Sequence, residues 1–125
     1  MSKMAPRTAL VVDDSVSMRE MVAFTLKSAG FEVIQGANGA EGLVKLDQGS
    51  ADLVITDLNM PVMDGITFIQ NVRTRAKHRF TPILMLTTET QETKKQAAKL
   101  AGATGWILKP FNPDQLLKVV AKVLT

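Results

Sequence analysis

The sequence predicts an α/β fold: a doubly wound, five-stranded parallel sheet of order 2-1-3-4-5 with helices on both faces. Three observations predict it. Four short runs are continuously apolar, Ala9–Val12, Leu53–Ile55, Ile83–Leu86 and Trp106–Leu108, as strands buried on both faces require. Segments with helical spacing fill the intervals, and parallel strands need such crossovers. The remaining strand, Phe31–Gln35, is interrupted by polar residues and suits an edge; right-handed crossovers then leave few topologies.

The 125 residues suit one domain with one core. Residues 1–7 read as a flexible N-terminus and residues 8–125 as the single domain. With 46% hydrophobic and 22% charged residues the chain is globular. It has no cysteine, which excludes a disulfide framework and Cys-based zinc sites. No apolar stretch reaches the roughly 18 residues of a membrane span, and residues 1–7 lack the apolar core of a secretory signal. A cytoplasmic monomer with no membrane partner is expected. A net charge of +3 permits an acidic partner and gives no nucleic-acid reading.

Strand one, Thr8–Asp13, ends in Asp13-Asp14. Helix one continues to about Ala29, with Met18, Met21, Val22 and Leu26 on one face and Gly30 as its stop. Ser17 and Glu20 have capping-box spacing. After strand two, Asn38 caps helix two, with Glu41 three residues on, Leu43 and Val44 inward and Gly49 at the end. Strand three runs into Asp57. Pro61 and Asp64-Gly65 break the chain, and Asp64 caps helix three, with Phe68, Ile69 and Val72 inward. Arg73–Arg79 is a basic connector whose His78 reads as a solvated loop residue. Strand four ends in Thr87-Thr88-Glu89. Helix four, from about Gln91 to Ala101, turns mostly alanine inward (Ala97, Ala98, Ala101). Gly102 and Gly105 bracket the turn into strand five, which Lys109-Pro110 ends. Asn112, Pro113 and Gln115 start helix five as cap, first residue and third residue, and Leu116, Val119, Val120 and Val123 form its inner face.

In a sheet of this order the site lies beyond the strands' carboxyl ends, where strand order reverses. The residues just past those ends are polar: Asp13 and Asp14, Asp57, Thr87, Lys109. Two unit charges about 4 Å apart at an effective dielectric of about 20 repel by roughly 4 kcal/mol, against a domain stability of about 5–15 kcal/mol. A hard dication resolves that conflict. Mg²⁺ takes one or two carboxylates, keeps waters and binds phosphate oxygens. With Lys109 and Thr87 alongside, the cluster reads as a site for a phosphoryl group on or near Asp57, and carboxylate attack to give an aspartyl phosphate is an established route.

The chain resembles a response-regulator receiver domain of the stand-alone, CheY-type chemotaxis class. Val12-Asp13-Asp14-Ser15, Asp57-Leu58-Asn59-Met60-Pro61 with Asp64-Gly65, Leu86-Thr87-Thr88 and Lys109-Pro110-Phe111 carry the resemblance across nearly the whole chain. It implies a flavodoxin-like (α/β)5 sandwich. It implies that Asp57 accepts phosphate from a histidine kinase, and that Asp14, Asp57 and the Asn59 backbone carbonyl ligate Mg²⁺, with Asp13 acting through water. Lys109 would pair with the phosphoryl group beside a cis Lys109–Pro110 bond. Thr87 and Trp106 would form the switch, Trp106 standing where the best-known chemotaxis members have Tyr. Asn59 and Glu89 would set the phosphate's lifetime. Sixteen residues follow Lys109, and helix five uses them, so no output domain is expected. The phosphorylated form would instead bind a target such as the flagellar motor switch through helix 4, strand 5 and helix 5, and a separate phosphatase can act on it.

Two other readings stand beside this one. The chain can be a phosphate sink or a phosphorelay intermediate. A phosphatase of the haloacid-dehalogenase type wants Asp-x-Asp after strand one, whereas Asp13 and Asp14 are adjacent. The expected catalysis is therefore confined to the chain's own phosphorylation and dephosphorylation, not turnover of an external substrate. Flavin binding is disfavoured by the acidic first loop, since a flavin phosphate needs donors, and there is no Gly-rich nucleotide loop.

Overall fold

The computed structural model describes residues 7–124; the expectation of a flexible N-terminus falls mostly on residues 1–6, which lie outside that range. The elements run β1 (Thr8–Val12), α1 (Val16–Ser28), β2 (Glu32–Gly36), α2 (Gly39–Gln48), β3 (Leu53–Thr56), α3 (Gly65–Arg73), a 3-10 turn (Ala76–His78), β4 (Ile83–Thr87), α4 (Glu92–Ala101), β5 (Gly105–Leu108) and α5 (Pro113–Val123). The sheet is parallel throughout, in the order β2-β1-β3-β4-β5. Both the class and the order are those the sequence predicts.

Period-two alternation explains why the strands are apolar on both sides. Leu10, Val12, Val54, Ile83 and Met85 face the cluster that Leu43, Leu46, Phe68, Ile69, Val72 and Ala98 supply from α2, α3 and α4. Their neighbours Ala9, Val11, Leu53, Ile55, Leu84, Leu86 and Ile107 face Val22, Leu26, Leu116 and Val120 from α1 and α5. A fully buried side chain such as Phe68 or Leu26 contributes about 1.5–3 kcal/mol. β2 is an edge strand, as expected, and its side chains are only partly covered. β5 forms the other edge, so its apolar run is not buried on both faces as expected, and Leu108 stands 49% exposed.

The helix starts are local chemistry. Asn38 accepts from the Glu41 N–H, Asp64 from that of Thr67, and Asn112 from those of Asp114 and Gln115. At α1 the cap is Ser15, which accepts from the Met18 N–H, not Ser17. Two residues expected inward point to solvent, Met21 and Val44. In each case the buried stripe is narrower than the apolar spacing suggests, and Ala23 and Leu46 are buried instead. Ala98 is the one buried residue of α4.

His78 is the main correction. Expected in solvent, it is only 1% exposed. The 3-10 turn tucks its ring under the start of β3, where Nε2 accepts from the Ala51 N–H at 3.1 Å. The proton therefore sits on Nδ1, which has no protein partner. Arg73 closes the same connector from outside. Its guanidinium donates to the carbonyls of His78, Arg79, Thr81 and Gly102, tying the connector to the end of α4.

Burial pulls the His78 pKa down, and the nearby charges of Lys77, Arg75 and Arg73 add to this, against Asp47. With a folded pKa below the unfolded value of about 6.5, the unfolded chain binds more protons, so stability falls as pH drops below about 6.5. His78→Gln keeps an acceptor for Ala51 without a titrating group. Between about pH 7.5 and pH 5.5 the wild type should lose more melting temperature than this variant. Parallel pH profiles would contradict a buried neutral His78.

Candidate functional site

Three backbone bonds just past the strand ends place the polar residues. The Asp13 N–H donates to Gly36 O at 3.1 Å, that of Asp57 to Val12 O at 3.0 Å, and that of Lys109 to Thr87 O at 2.9 Å. The sheet ladder thus continues one residue into each loop, and Asp57 is held beside β1, where the strand order reverses. Gly65 permits the turn that comes next. Its N–H donates to Leu58 O at 2.7 Å, and a Cβ there would collide with the Asp57 carbonyl oxygen.

Carboxylate oxygens of Asp13, Asp14 and Asp57 lie within 4.8 Å of one another. Asp13 and Asp57 are buried, whereas Asp14 is exposed. The Lys109 ammonium enters between them, donating to Asp13 Oδ2 at 2.7 Å and to Asp57 Oδ2 at 3.0 Å. The second oxygens are also engaged: Asp57 Oδ1 accepts from the Leu58 N–H at 2.7 Å and Asp13 Oδ1 from the Ser15 N–H at 2.9 Å. Ser15 therefore caps α1 and orients Asp13 at once. The Lys109–Pro110 peptide is cis, as the resemblance implied.

Burial pushes the Asp13 carboxyl above its usual range, and hydrogen bonds from Lys109 and Ser15 only partly offset this. Burial pulls the other way on Lys109, but its hydrogen bonds to Asp13 and Asp57 outweigh it and hold the ammonium above its usual value. Lys109 is accordingly charged at neutral pH. An all-oxygen donor set of three carboxylates, one of them open to solvent, fits a hard dication such as Mg²⁺.

The remaining expected residues lie around this centre. Thr87, fully buried at the end of β4, accepts from the Glu89 N–H at 3.3 Å through Oγ1. The Glu89 carboxylate accepts from the Gln91 N–H at 3.1 Å, at the start of α4. Asn59 is exposed in the β3–α3 loop, and its residue lines a hollow with Asp64, Ile66 and Lys94. Trp106 is half-buried against the core, with the Lys95 ammonium 5.9 Å from its ring centroid and an indole N–H that has no protein partner. Grooves of about 350 and 460 Å³ flank it, between α4 and β5 and between β5 and α5.

Two features escaped the sequence reading. Arg19 donates to the Asp13 carbonyl at 2.7 Å and to Gln35 Oε1 at 3.4 Å, pinning the acidic loop to α1 and β2. Val62 has φ +71°, and the Met63 N–H donates across it to Pro61 O at 2.7 Å. That is a γ-turn of the strained kind, in a conformation that costs a β-branched residue about 1–3 kcal/mol. Nothing in the sequence signals it.

A family model described as the response regulator receiver domain matches residues 9–121. The chain belongs to that family. The receiver is 38% identical over 117 residues to chemotaxis protein CheY1 of Helicobacter pylori, covering 92% of this chain and 94% of that protein. It is 37% identical over 115 residues to CheY-3 of Vibrio cholerae, covering 91% and 88%. It superposes on the structure of Vibrio cholerae CheY4 crystallised at low pH with a TM-score of 0.93 and 52% identity, over 96% of this chain and 100% of that one. The fold is thus the flavodoxin-like receiver fold. Receivers of this type take phosphate from a histidine kinase and act on a downstream target. Among the described residues no helix is long and apolar enough to cross a membrane.

The Lys109 bridge makes a direct prediction. Lys109→Met leaves three carboxylates facing one another and should lose about 3 kcal/mol of stability in urea unfolding without divalent ions. Adding Mg²⁺ should return more stability to this variant than it adds to the wild type. A loss below about 1 kcal/mol would mean that the carboxylates do not depend on the ammonium.

Proposed function

We propose that this receiver is the phosphoacceptor response regulator of a chemotaxis-type two-component pathway, with Asp57 as the phosphorylated residue. One observation carries the reading: a single ammonium, Lys109, spans Asp13 and Asp57 within a cluster of three carboxylates. A pocket so arranged suits charge that is about to change.

An Asp57 carboxylate oxygen attacks the phosphorus of a phosphohistidine. The new O–P bond forms as the P–N bond breaks, and the imidazole leaves and takes up a proton. Asp57 Oδ1 is steadied by the Leu58 N–H, which leaves the Oδ2 side, now on Lys109, to receive the phosphoryl group. Asp14, Asp57 and the Asn59 carbonyl would hold Mg²⁺, with Asp13 acting through water; the ion when bound supplies positive charge to the phosphoryl oxygens. Lys109 then exchanges a carboxylate for a phosphoryl oxygen. Asn59 and Glu89 govern access of the water that later removes the phosphate.

The phosphoryl group adds about −1.5 to −2 charge. Two charge-assisted hydrogen bonds, from Thr87 and Lys109, at about 1.5–3 kcal/mol each, approach the roughly 5.5 kcal/mol that turns a 1:99 equilibrium to 99:1. Thr87 lies one strand from Trp106, whose residue pairs with Met85 in the β4–β5 register. The output face is α4, β5 and α5, where Lys94, Lys95, Lys99, Lys118 and Lys122 suit an acidic target such as a flagellar motor switch protein. Chemistry on external substrates has no place in this scheme.

Incubation with phosphoramidate and Mg²⁺ should give one phosphate per chain on Asp57, detected by intact mass, together with a change in Trp106 fluorescence. Asp57→Ala should abolish both. Labelling that survives in Asp57→Ala would overturn the assignment.

A further inference from the structure

Of the three carboxylates in the pocket, Asp14 is the one most open to a dication and the one whose side chain nothing holds. Asp13 and Asp57 have both carboxylate oxygens engaged. The Asp14 side chain is exposed and has no hydrogen-bond or ion-pair partner among the described residues. Its place in the cluster is therefore set by the backbone on either side. After Asp14, the Ser15 N–H donates to Asp13 Oδ1 at 2.9 Å. Before it, the Asp13 carbonyl accepts from Arg19 Nη1 at 2.7 Å. That carbonyl and the Asp14 N–H belong to one planar peptide, so fixing the oxygen fixes the plane from which Asp14 sets out. Arg19 has no second task in view. It pairs with no carboxylate among the described residues, although it stands in the first turn of α1 beside the acidic loop. A cation there opposes the helix dipole. Its Nε donates to Gln35 Oε1 at 3.4 Å, which steers the guanidinium from β2 onto the Asp13 carbonyl.

We propose that Arg19 is a positioning residue for Mg²⁺: by holding the Asp13 carbonyl it keeps the Asp14 carboxylate in the cluster with Asp13 and Asp57. This rests on the Mg²⁺-dependent phosphoacceptor reading above. Charge and position pull in opposite directions here. Arg19 is a full positive charge beside an anionic pocket, so by its field alone its removal strengthens the pull on a cation. As a positioning group its removal lets the Asp14 peptide turn. Groups that orient a metal ligand typically carry roughly 10–100-fold in affinity. The sign of the change in Mg²⁺ affinity therefore separates the two roles.

Calorimetric titration with Mg²⁺ compares the wild type with Arg19→Met, Arg19→Lys and Gln35→Leu. Arg19→Met should bind Mg²⁺ about tenfold more weakly, while its melting temperature in EDTA stays within about 5 °C of the wild type's. Arg19→Lys keeps a donor for the Asp13 carbonyl and should recover most of the affinity. Gln35→Leu changes no charge, frees the Nε end of the guanidinium and should weaken binding in the same direction, so the proposal stays testable if Arg19→Met does not fold. With phosphoramidate as donor, Arg19→Met should need more Mg²⁺ for its half-maximal rate, and its rate at saturating Mg²⁺ should stay within about twofold of the wild type's. Tighter or unchanged Mg²⁺ binding in Arg19→Met overturns the proposal, as does unchanged binding in Gln35→Leu. So does an Arg19→Lys variant no better than Arg19→Met. A lower rate at saturating Mg²⁺ with the half-maximal concentration unchanged also overturns it, because the effect then lies in transfer and not in holding the ion. A wild type that binds no Mg²⁺ refutes the metal-dependent reading itself, an outcome distinct from these.

Discussion

One ammonium group organises this molecule's working end. Lys109 reaches from the end of β5 to carboxylates 96 and 52 residues earlier in the chain. It joins the end of β5, at the sheet's edge, to the ends of β1 and β3 that flank the switch point. Without it, Asp13 and Asp57 would be two buried like charges with a third beside them, a conflict of several kcal/mol. With it, the carboxylates are held close but not neutralised. The site remains anionic, so it still has affinity for a dication and still gains when a phosphoryl group and a metal arrive together.

The backbone around that contact is fixed by hydrogen bonds of its own. Ladder hydrogen bonds fix Asp13, Asp57 and Lys109 one residue past their strands, Arg19 grips the Asp13 carbonyl, and Gly65 lets the next turn close against Asp57. The elements farther from the pocket are looser. α4 buries only Ala98, and the Trp106 indole lies between two grooves with its N–H unpartnered within the protein. A rigid centre beside a weakly anchored helix suits a domain that must change its surface when its charge changes.

The fold was legible because its signals are local or periodic. Strands buried on both faces show as unbroken apolar runs, and the caps at Asn38, Asp64 and Asn112 are side chains bonding to backbone a few residues away. The acidic cluster was legible because each member directly succeeds a strand, so topology alone brings them together. Features that depend on packing were not. His78 looks like a loop histidine until the connector folds over it, and Met21 and Val44 sit at the margins of stripes that only the neighbouring elements define. The exact partners of Lys109 also required coordinates: sequence placed it near a phosphoryl group but not between Asp13 and Asp57. Val62 obeys no local rule, since a β-branched residue is among the poorest choices for its turn.

The central claim is that acidic residues from separate strands act as one cation-binding pocket around Asp57. Calorimetric titration of Mg²⁺ into the wild type, Asp14→Asn and Asp57→Asn tests it most directly. The account predicts one site per chain, weakened at least tenfold, about 1.4 kcal/mol, by either substitution. Equal affinity in all three proteins would contradict it.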